Sequence, residues 1–256
     1  MNLQQYLESE LGSITKEEEK QLSETYFGLI EAYKQKMADD PTKTVTMCIR
    51  DFNDEVSSIY DRISAKKELL EMRTSFLGYA SDILKKYARI EKGLVIDGGC
   101  ATGVDICFLG LKNPSLDFVA YDLSSQNVRK AKQRLKKWNV SNTDVLVADH
   151  DHLPFKDNAA DLFFTDESFG EEGKFIDYYE NSEREWNRAR NFMRSLKKGG
   201  MFCLTYNTGQ GTMFPIGEVR NFGYVIGKQS GLKYEDTVSL SEGNFLIALR
   251  KPQTVK

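Results

Sequence analysis

Apolar side chains recur every three or four positions through the first ninety residues. Leu22, Tyr26, Leu29 or Ile30, Tyr33 and Met37 share one helical face, and Phe52, Val56, Ile59 and Ile63 continue the period. A third run covers Leu69 to Tyr87. Thr15 followed by Glu18 makes a capping-box start, and "DDP" at 39 to 41 is a stop signal. The first strand signal comes at residue 94. From there short β runs alternate with helical stretches, with strands predicted at 94–97, 117–121, 144–148, 161–165, 200–206, 233–239 and 244–250. Helices are expected over 103–112, 124–138, 182–198 and 216–230. This rhythm predicts a parallel sheet with crossover helices. "SEGN" leaves no room for a helix between the last two strands, so they should pair as an antiparallel hairpin at the sheet edge. The expected class is α/β: seven strands, mostly parallel, with residues 1–90 as a helical N-terminal cap and 91–256 as the sheet domain.

Composition narrows the function without naming it. With 40% apolar and 11% aromatic residues, 256 residues can bury the core of one α/β domain and a cap. A net charge of −3 supplies no global field for nucleic acid or an anionic membrane, which favours a small or neutral partner. No apolar run reaches the roughly 18 residues of a membrane span, and "MNLQQYLESELGS" lacks a signal peptide's basic and apolar regions, so a cytoplasmic protein is expected. Cys48, Cys100, Cys107 and Cys203 form no C-x-x-C pair and read as buried reduced thiols, with no metal site.

The densest chemical signal is "LVIDGGCATG" at 94–103. A P-loop needs Lys and then Ser or Thr after its last glycine, but Gly103 is followed by Val104 and Asp105, and an acid there would repel a triphosphate. A dinucleotide turn needs G-x-G-x-x-G, which Gly98, Gly99 and Gly103 do not fit, and Asp97 sits badly beside a diphosphate. What remains is a cofactor with a cation near a strand-end carboxylate and no phosphate. S-adenosyl-L-methionine fits: Asp97 can attract its ammonium while the glycines let the backbone approach its amino acid tail.

"VIDGGCATG" at 95–103 resembles the first motif of class I S-adenosylmethionine-dependent methyltransferases, an acid followed by x-G-x-G-x-G. Asp97, Gly99, Ala101 and Gly103 match it, with Ala101 replacing the middle glycine and Gly98 between acid and first glycine. "FVAYDLSSQNVRKAKQRL" at 118–135 is similar to the second motif, placing Asp122 and Leu123 where the ribose would lie. "VADHDHLPFKDNAADLFF" at 147–164 resembles the third and fourth, with Asp149 facing the adenine amino group and the backbone beside His150 facing the ring. "SLKKGGMFCLTYN" at 195–207 looks like the fifth strand. The resemblance spans about residues 75 to 250. It implies a Rossmann-like methyltransferase domain, S-adenosyl-L-methionine as cofactor and a small-molecule methyl acceptor accepting at O, N or S.

The acceptor should lie near the end of the fourth strand, in "TDESFGEEGKFIDYYENSE" at 165–183. Asp166 and Glu167 are the catalytic candidates, to orient or deprotonate the acceptor, and Asp166 also borders the cofactor. Phe169, Phe175, Tyr178 and Tyr179 could line the pocket. In similar enzymes an N-terminal cap selects small substrates, a role open to Tyr26, Phe27 and Tyr33. The cations Arg129, Lys130, Lys132, Arg134, Lys136 and Lys137 of helix 124–138 read as its solvated face, opposite Val128, Ala131, Leu135 and Trp138. "DHDH" at 149–152 reads as a loop whose alternating side chains do not converge on one ion. Two other readings stand beside the first: a methyltransferase acting on RNA or protein, and a subunit or sensor that binds the cofactor without turnover. Asp122→Ala is expected to weaken cofactor binding by about 1 to 3 kcal/mol with the fold intact.

Overall fold

The computed structural model of the chain describes residues 1–40, 44–87, 93–165, 178–207, 227–228, 231–241 and 244–253. Five helices come first: α1 (Leu3–Leu11), α2 (Lys16–Asp39), α3 (Val45–Val56), α4 (Tyr60–Ile63) and α5 (Lys67–Tyr87). Then follow β1 (Leu94–Gly98), α6 (Val104–Lys112), β2 (Asp117–Asp122), α7 (Ser125–Lys137), β3 (Thr143–Val147), β4 (Ala160–Thr165), α8 (Tyr178–Ser195), β5 (Leu196–Asn207), β6 (Lys233–Ser241) and β7 (Asn244–Arg250).

The strands form one sheet in the order β3-β2-β1-β4-β5-β7-β6. β1 to β5 pair in parallel, while β7 runs antiparallel between β5 and β6. The expected hairpin is present, with β6 at the edge. The chain steps outward from β1 through β2 to β3, and from β4 to β5 in the other direction. Right-handed crossovers then put α6 and α7 on one face and α8 on the other. Side chains alternate accordingly. Val95, Leu162, Phe164, Met201 and Cys203 join α5, α6 and α7 in one core, whereas Ile96, Phe163, Phe202 and Leu204 join Phe192 of α8 in the second. Phe163, Phe192 and Phe202 pack in tilted and edge-on contact with centroids 4.6 to 6.0 Å apart. All four cysteines are buried thiols.

Several boundaries differ from those expected. α8 ends at Ser195 and β5 begins at once, because Leu196 pairs with Ala160; residues 197–200 then bulge, through Gly199 at φ 80°, before Met201 pairs with Leu162. The apolar run from 52 to 63 is divided at residues 57–59 into α3 and α4. The helix expected over 216–230 lies outside the described residues apart from 227–228, which are helical. Among the described residues, no helix is long and apolar enough to cross a membrane.

Residues 1–40 and 44–87 divide their packing. The Thr15–Glu18 capping box starts α2 as expected, and Ile30, Tyr33, Cys48, Phe52 and Val56 close a cluster between α2 and α3. Tyr26 and Tyr33 pack against Phe52 at 5.7 Å each, and the Tyr33 hydroxyl donates to Glu55. Phe27 is 63% exposed. α1 and α5 instead belong to the sheet's own core through Tyr6, Leu7, Leu11, Phe76, Leu77 and Ala80.

α1 is also held by polar contacts. The Tyr6 hydroxyl donates to the Val104 carbonyl at 2.7 Å. Glu10, its side chain 4% exposed, accepts from Arg134 Nε, from Lys137 Nζ at 2.6 Å and from Trp138 Nε1 at 2.7 Å. Arg134 is itself 8% exposed, so the reading of that helix face as wholly solvated fails there. The carboxylate of α1 overrides it, since a guanidinium with matched acceptors can be buried. Lys130, half-buried, departs too, because it donates to the Ser57 backbone carbonyl between α3 and α4.

Burial alone raises the Glu10 carboxyl, but the bonds from Lys137, Arg134 and Trp138 outweigh it and hold it below its ordinary value. A carboxylate depressed in the folded state stabilises above its unfolded pKa, and that stability is lost as pH falls through the folded value. Urea unfolding followed from pH 7 down to pH 3 should therefore show stability falling below about pH 4.3. Glu10→Gln should be less stable at pH 7 and show a shallower acid limb; identical limbs would remove Glu10 from the network.

Candidate functional site

Between Gly98 and Val104 the chain turns at the carboxyl edge of β1, where the strand order departs in two directions. Such a switch point opens the binding crevice of a parallel sheet. Gly99, Ala101 and Gly103 have φ of 79°, 44° and 77°, all left-handed. Glycine adopts this without cost, whereas Ala101 does so against its Cβ. Gly103 is required twice over, because a Cβ there would lie 2.6 Å from the Ala131 Cβ of α7.

Asp122, closing β2, secures this turn. Its Oδ2 accepts the Ala101 N–H at 2.8 Å, and its Oδ1 accepts the Ser124 N–H at 2.8 Å and Asn127 Nδ2 at 3.2 Å. The Tyr121 carbonyl accepts the N–H groups of Gly99 and Cys100 at 2.8 and 3.0 Å. Asp122 is thus part of the turn's framework, so the expectation that Asp122→Ala would leave the fold intact is withdrawn.

Asp97 lies next to last in β1, in register with Ala120 and Phe164, and like Asp122 it is 6% exposed. The Cys100 thiol is pushed well up, first by burial and then by Asp122 and Asp97. Burial likewise raises the Tyr121 phenol, followed by the charge of Asp97. Both carboxylates therefore act on one small volume at the turn. Their field suits an ammonium or sulfonium and opposes a phosphate.

After β3, Asp149 Oδ1 accepts the Asp151 N–H at 2.9 Å, shaping the loop. His150 turns its ring inward, with Nδ1 2.7 Å from the Tyr121 hydroxyl and its face edge-on to Tyr121 and Phe192, both at 5.4 Å. Leu123 is half-buried between Asp122 and the helix cap Ser124, and the His152 side chain is 88% exposed. The structure thus gathers Asp97, Gly98, Gly99, Ala101, Gly103 and Asp122 at one turn and links His150 to it through Tyr121. Asp166, Glu167, Phe169 and Phe175 lie outside the described residues, as do the side chains of Tyr178 and Tyr179. Tyr33, 5% exposed, is occupied within the α2–α3 cluster, which argues against a lining role for it.

Residues from the N-terminal helices reach the same turn. Asp61 of α4 accepts Thr102 Oγ1 at one oxygen and Arg134 at the other, 2.9 Å away, while a second nitrogen of Arg134 donates to the Thr102 carbonyl. Asp54 of α3 accepts Ser124 Oγ at 2.5 Å and the Gln126 N–H at 3.2 Å, capping α7. Arg73 of α5 pairs with Asp105 at 3.3 Å, so the acid that argued against a P-loop is neutralised here. None of these partnerships was read from the sequence. One signal was available: Arg134 stands three residues after Ala131, hence on the apolar side of its helix.

A methyltransferase-domain family matches residues 90–219. Ribosomal RNA small subunit methyltransferase C of Pseudoalteromonas translucida is 36% identical over 64 residues, 25% of this chain and 19% of that protein, so the chain spans about a fifth of that relative's length. A SAM-dependent methyltransferase from Aquifex aeolicus superposes with a TM-score of 0.58 at 18% identity, covering 76% of this chain and 97% of the other. Magnesium protoporphyrin IX methyltransferase from Synechocystis PCC 6803, with bound SAM, gives 0.62 at 13% identity, covering 83% and 99%. The two structures share the fold.

Ala101 identifies a strained position that glycine would relieve. Ala101→Gly should raise stability by about 1 kcal/mol, because the relief exceeds the added entropy of the unfolded chain. Gly103→Ala should lower it by at least about 2 kcal/mol, combining the positive φ with the clash at Ala131. Denaturant unfolding of both variants checks this, and a destabilised Ala101→Gly would contradict the strain.

Proposed function

Because the chain belongs to the methyltransferase-domain family, we propose that it binds S-adenosyl-L-methionine at the β1–α6 turn and methylates an O, N or S atom of a small-molecule acceptor. The observation that carries this reading is the pair of buried carboxylates, Asp97 and Asp122, set at neighbouring strand ends around a left-handed turn. The residues fit that cofactor. Gly98 packs so tightly that a Cβ would meet the Tyr121 hydroxyl at 2.7 Å, and Gly99 turns the chain at φ 79°. Arg134, the cation nearest the turn in the contacts described, is engaged by Glu10 and Asp61 and is not offered to a phosphate.

In this reading Asp97 holds the ammonium end, Asp122 and Leu123 border the ribose, and the Asp149–His150 loop borders the adenine. When bound, the cofactor supplies an electrophilic methyl group on a sulfonium. The protein's task is then alignment and exclusion of water, since in-line transfer asks for little covalent chemistry. Asp166 and Glu167, directly after β4, are proposed to orient the acceptor or take its proton. Residues 1–90 are proposed to act as the cap over this crevice. A net charge of −3 supports a small acceptor, and a cytoplasmic location goes with this reading. The local match to a ribosomal RNA methyltransferase favours an RNA acceptor as the second reading.

Calorimetry should detect binding of S-adenosylhomocysteine. Asp97→Asn should weaken it by about 1.5 to 3 kcal/mol, the range for a hydrogen bond to a charged group. Incubation with methyl-labelled cofactor and a metabolite extract should yield a labelled small molecule by mass spectrometry. Label in RNA instead would support the second reading, and binding without any labelled product would support a non-catalytic role. Asp166→Asn should lower turnover more than cofactor affinity; equal loss of both would move Asp166 into the cofactor site.

A further inference from the structure

Arg134 is a nearly buried cation 32 residues beyond Thr102 and 124 beyond Glu10, yet it meets both. Its Nε donates to Glu10 of α1, one terminal nitrogen donates to the Thr102 carbonyl inside the glycine turn, and the other donates to Asp61 of α4 at 2.9 Å. Asp61 completes the ring by accepting Thr102 Oγ1. Thr102 is 1% exposed and is thus held through both its carbonyl and its hydroxyl. Two neighbouring residues of the turn are consequently gripped by different elements: Ala101 by Asp122 of β2, and Thr102 by α4 and α7.

The charges make this grip conditional. With α1 and α4 in place, the carboxylates of Glu10 and Asp61 are answered by Arg134 and Lys137. If either helix departs, a guanidinium 8% exposed loses a carboxylate, and the Thr102 carbonyl loses the orientation of its donor. The turn in its left-handed shape and the docked N-terminal helices are therefore two parts of one arrangement. A ligand that requires the turn's shape stabilises the docked helices, and by linkage the docked helices strengthen that ligand.

Building on the reading of this turn as the S-adenosyl-L-methionine site, we infer that Arg134 is a positioning residue: it couples cofactor binding to docking of α1 and α4 by clamping Thr102 between Glu10 and Asp61. α1 and α4 thus set cofactor affinity through their hold on Thr102. Trp138 reports on the clamp, because its indole N–H donates to Glu10 and its ring packs on Tyr6 at 5.4 Å.

The test is hydrogen exchange on the full chain with and without saturating S-adenosylhomocysteine, together with calorimetry. The ligand should slow amide exchange in residues 99–103 and also in α1 and α4. Asp61→Asn, which keeps the shape at a side chain 26% exposed, should weaken S-adenosylhomocysteine about tenfold and abolish the slowing in α4. Arg134→Lys, which keeps the charge but not the forked donors, should lose affinity to a similar degree and shift Trp138 emission, with Trp186→Phe as the background. Protection confined to residues 99–103, with wild-type affinity in Asp61→Asn, would overturn the coupling and leave the cofactor reading standing. No binding by the wild-type chain would overturn both. If neither variant folds, ligand-induced protection of α1 and α4 in the wild-type chain decides.

Discussion

The backbone between β1 and α6 must pass through left-handed geometry at Gly99, Ala101 and Gly103, and the carboxylate of Asp122 holds it there. That acid takes the Ala101 N–H with one oxygen and the start of α7 with the other. One side chain thereby fixes the turn after β1 relative to the end of β2 and the first turn of the next crossover helix. α7 approaches so closely that only a hydrogen fits at residue 103. The carboxyl edge of the sheet gains its shape from this contact, and Asp97 gains a second buried negative charge beside it.

The N-terminal helices depend on the same place. α1 and α5 complete the core on the α6–α7 side of the sheet, while α2 and α3 pack mainly on each other. Their polar contacts converge on the turn and its flanking helices: Tyr6 on Val104, Asp61 on Thr102, Asp54 on Ser124 and Arg73 on Asp105. Charge-assisted contacts of this kind specify where a helix docks more than they add stability, since much of their attraction offsets desolvation. A segment that reads as an accessory cap is thus attached directly to the β1–α6 turn.

The sheet domain was legible in the sequence because its signals are local. Short β runs, the turn residues in "DGGCATG" and the terminal hairpin "SEGN" each speak through adjacent residues. The acids at 97 and 122 were legible for the same reason, each closing an apolar run. The clamp was not, because Glu10 and Arg134, 124 positions apart, become partners only after the chain has folded. Arg134 is one of six cations along that helix, and solvation explains such a series as well as pairing does. Tyr26 and Tyr33 looked available for a ligand because periodicity gives a face and not the partner that covers it; α3 covers it here.

The central claim is that the Asp97–Asp122 turn is a cofactor site and not merely a rigid corner of the sheet. A crystal structure with S-adenosylhomocysteine tests it most directly. The ligand is expected at the carboxyl edge of β1 and β2, its amino end toward Asp97 and its ribose hydroxyls within hydrogen-bond reach of Asp122. Ligand density elsewhere, or a ribose beyond the reach of Asp122, would contradict it.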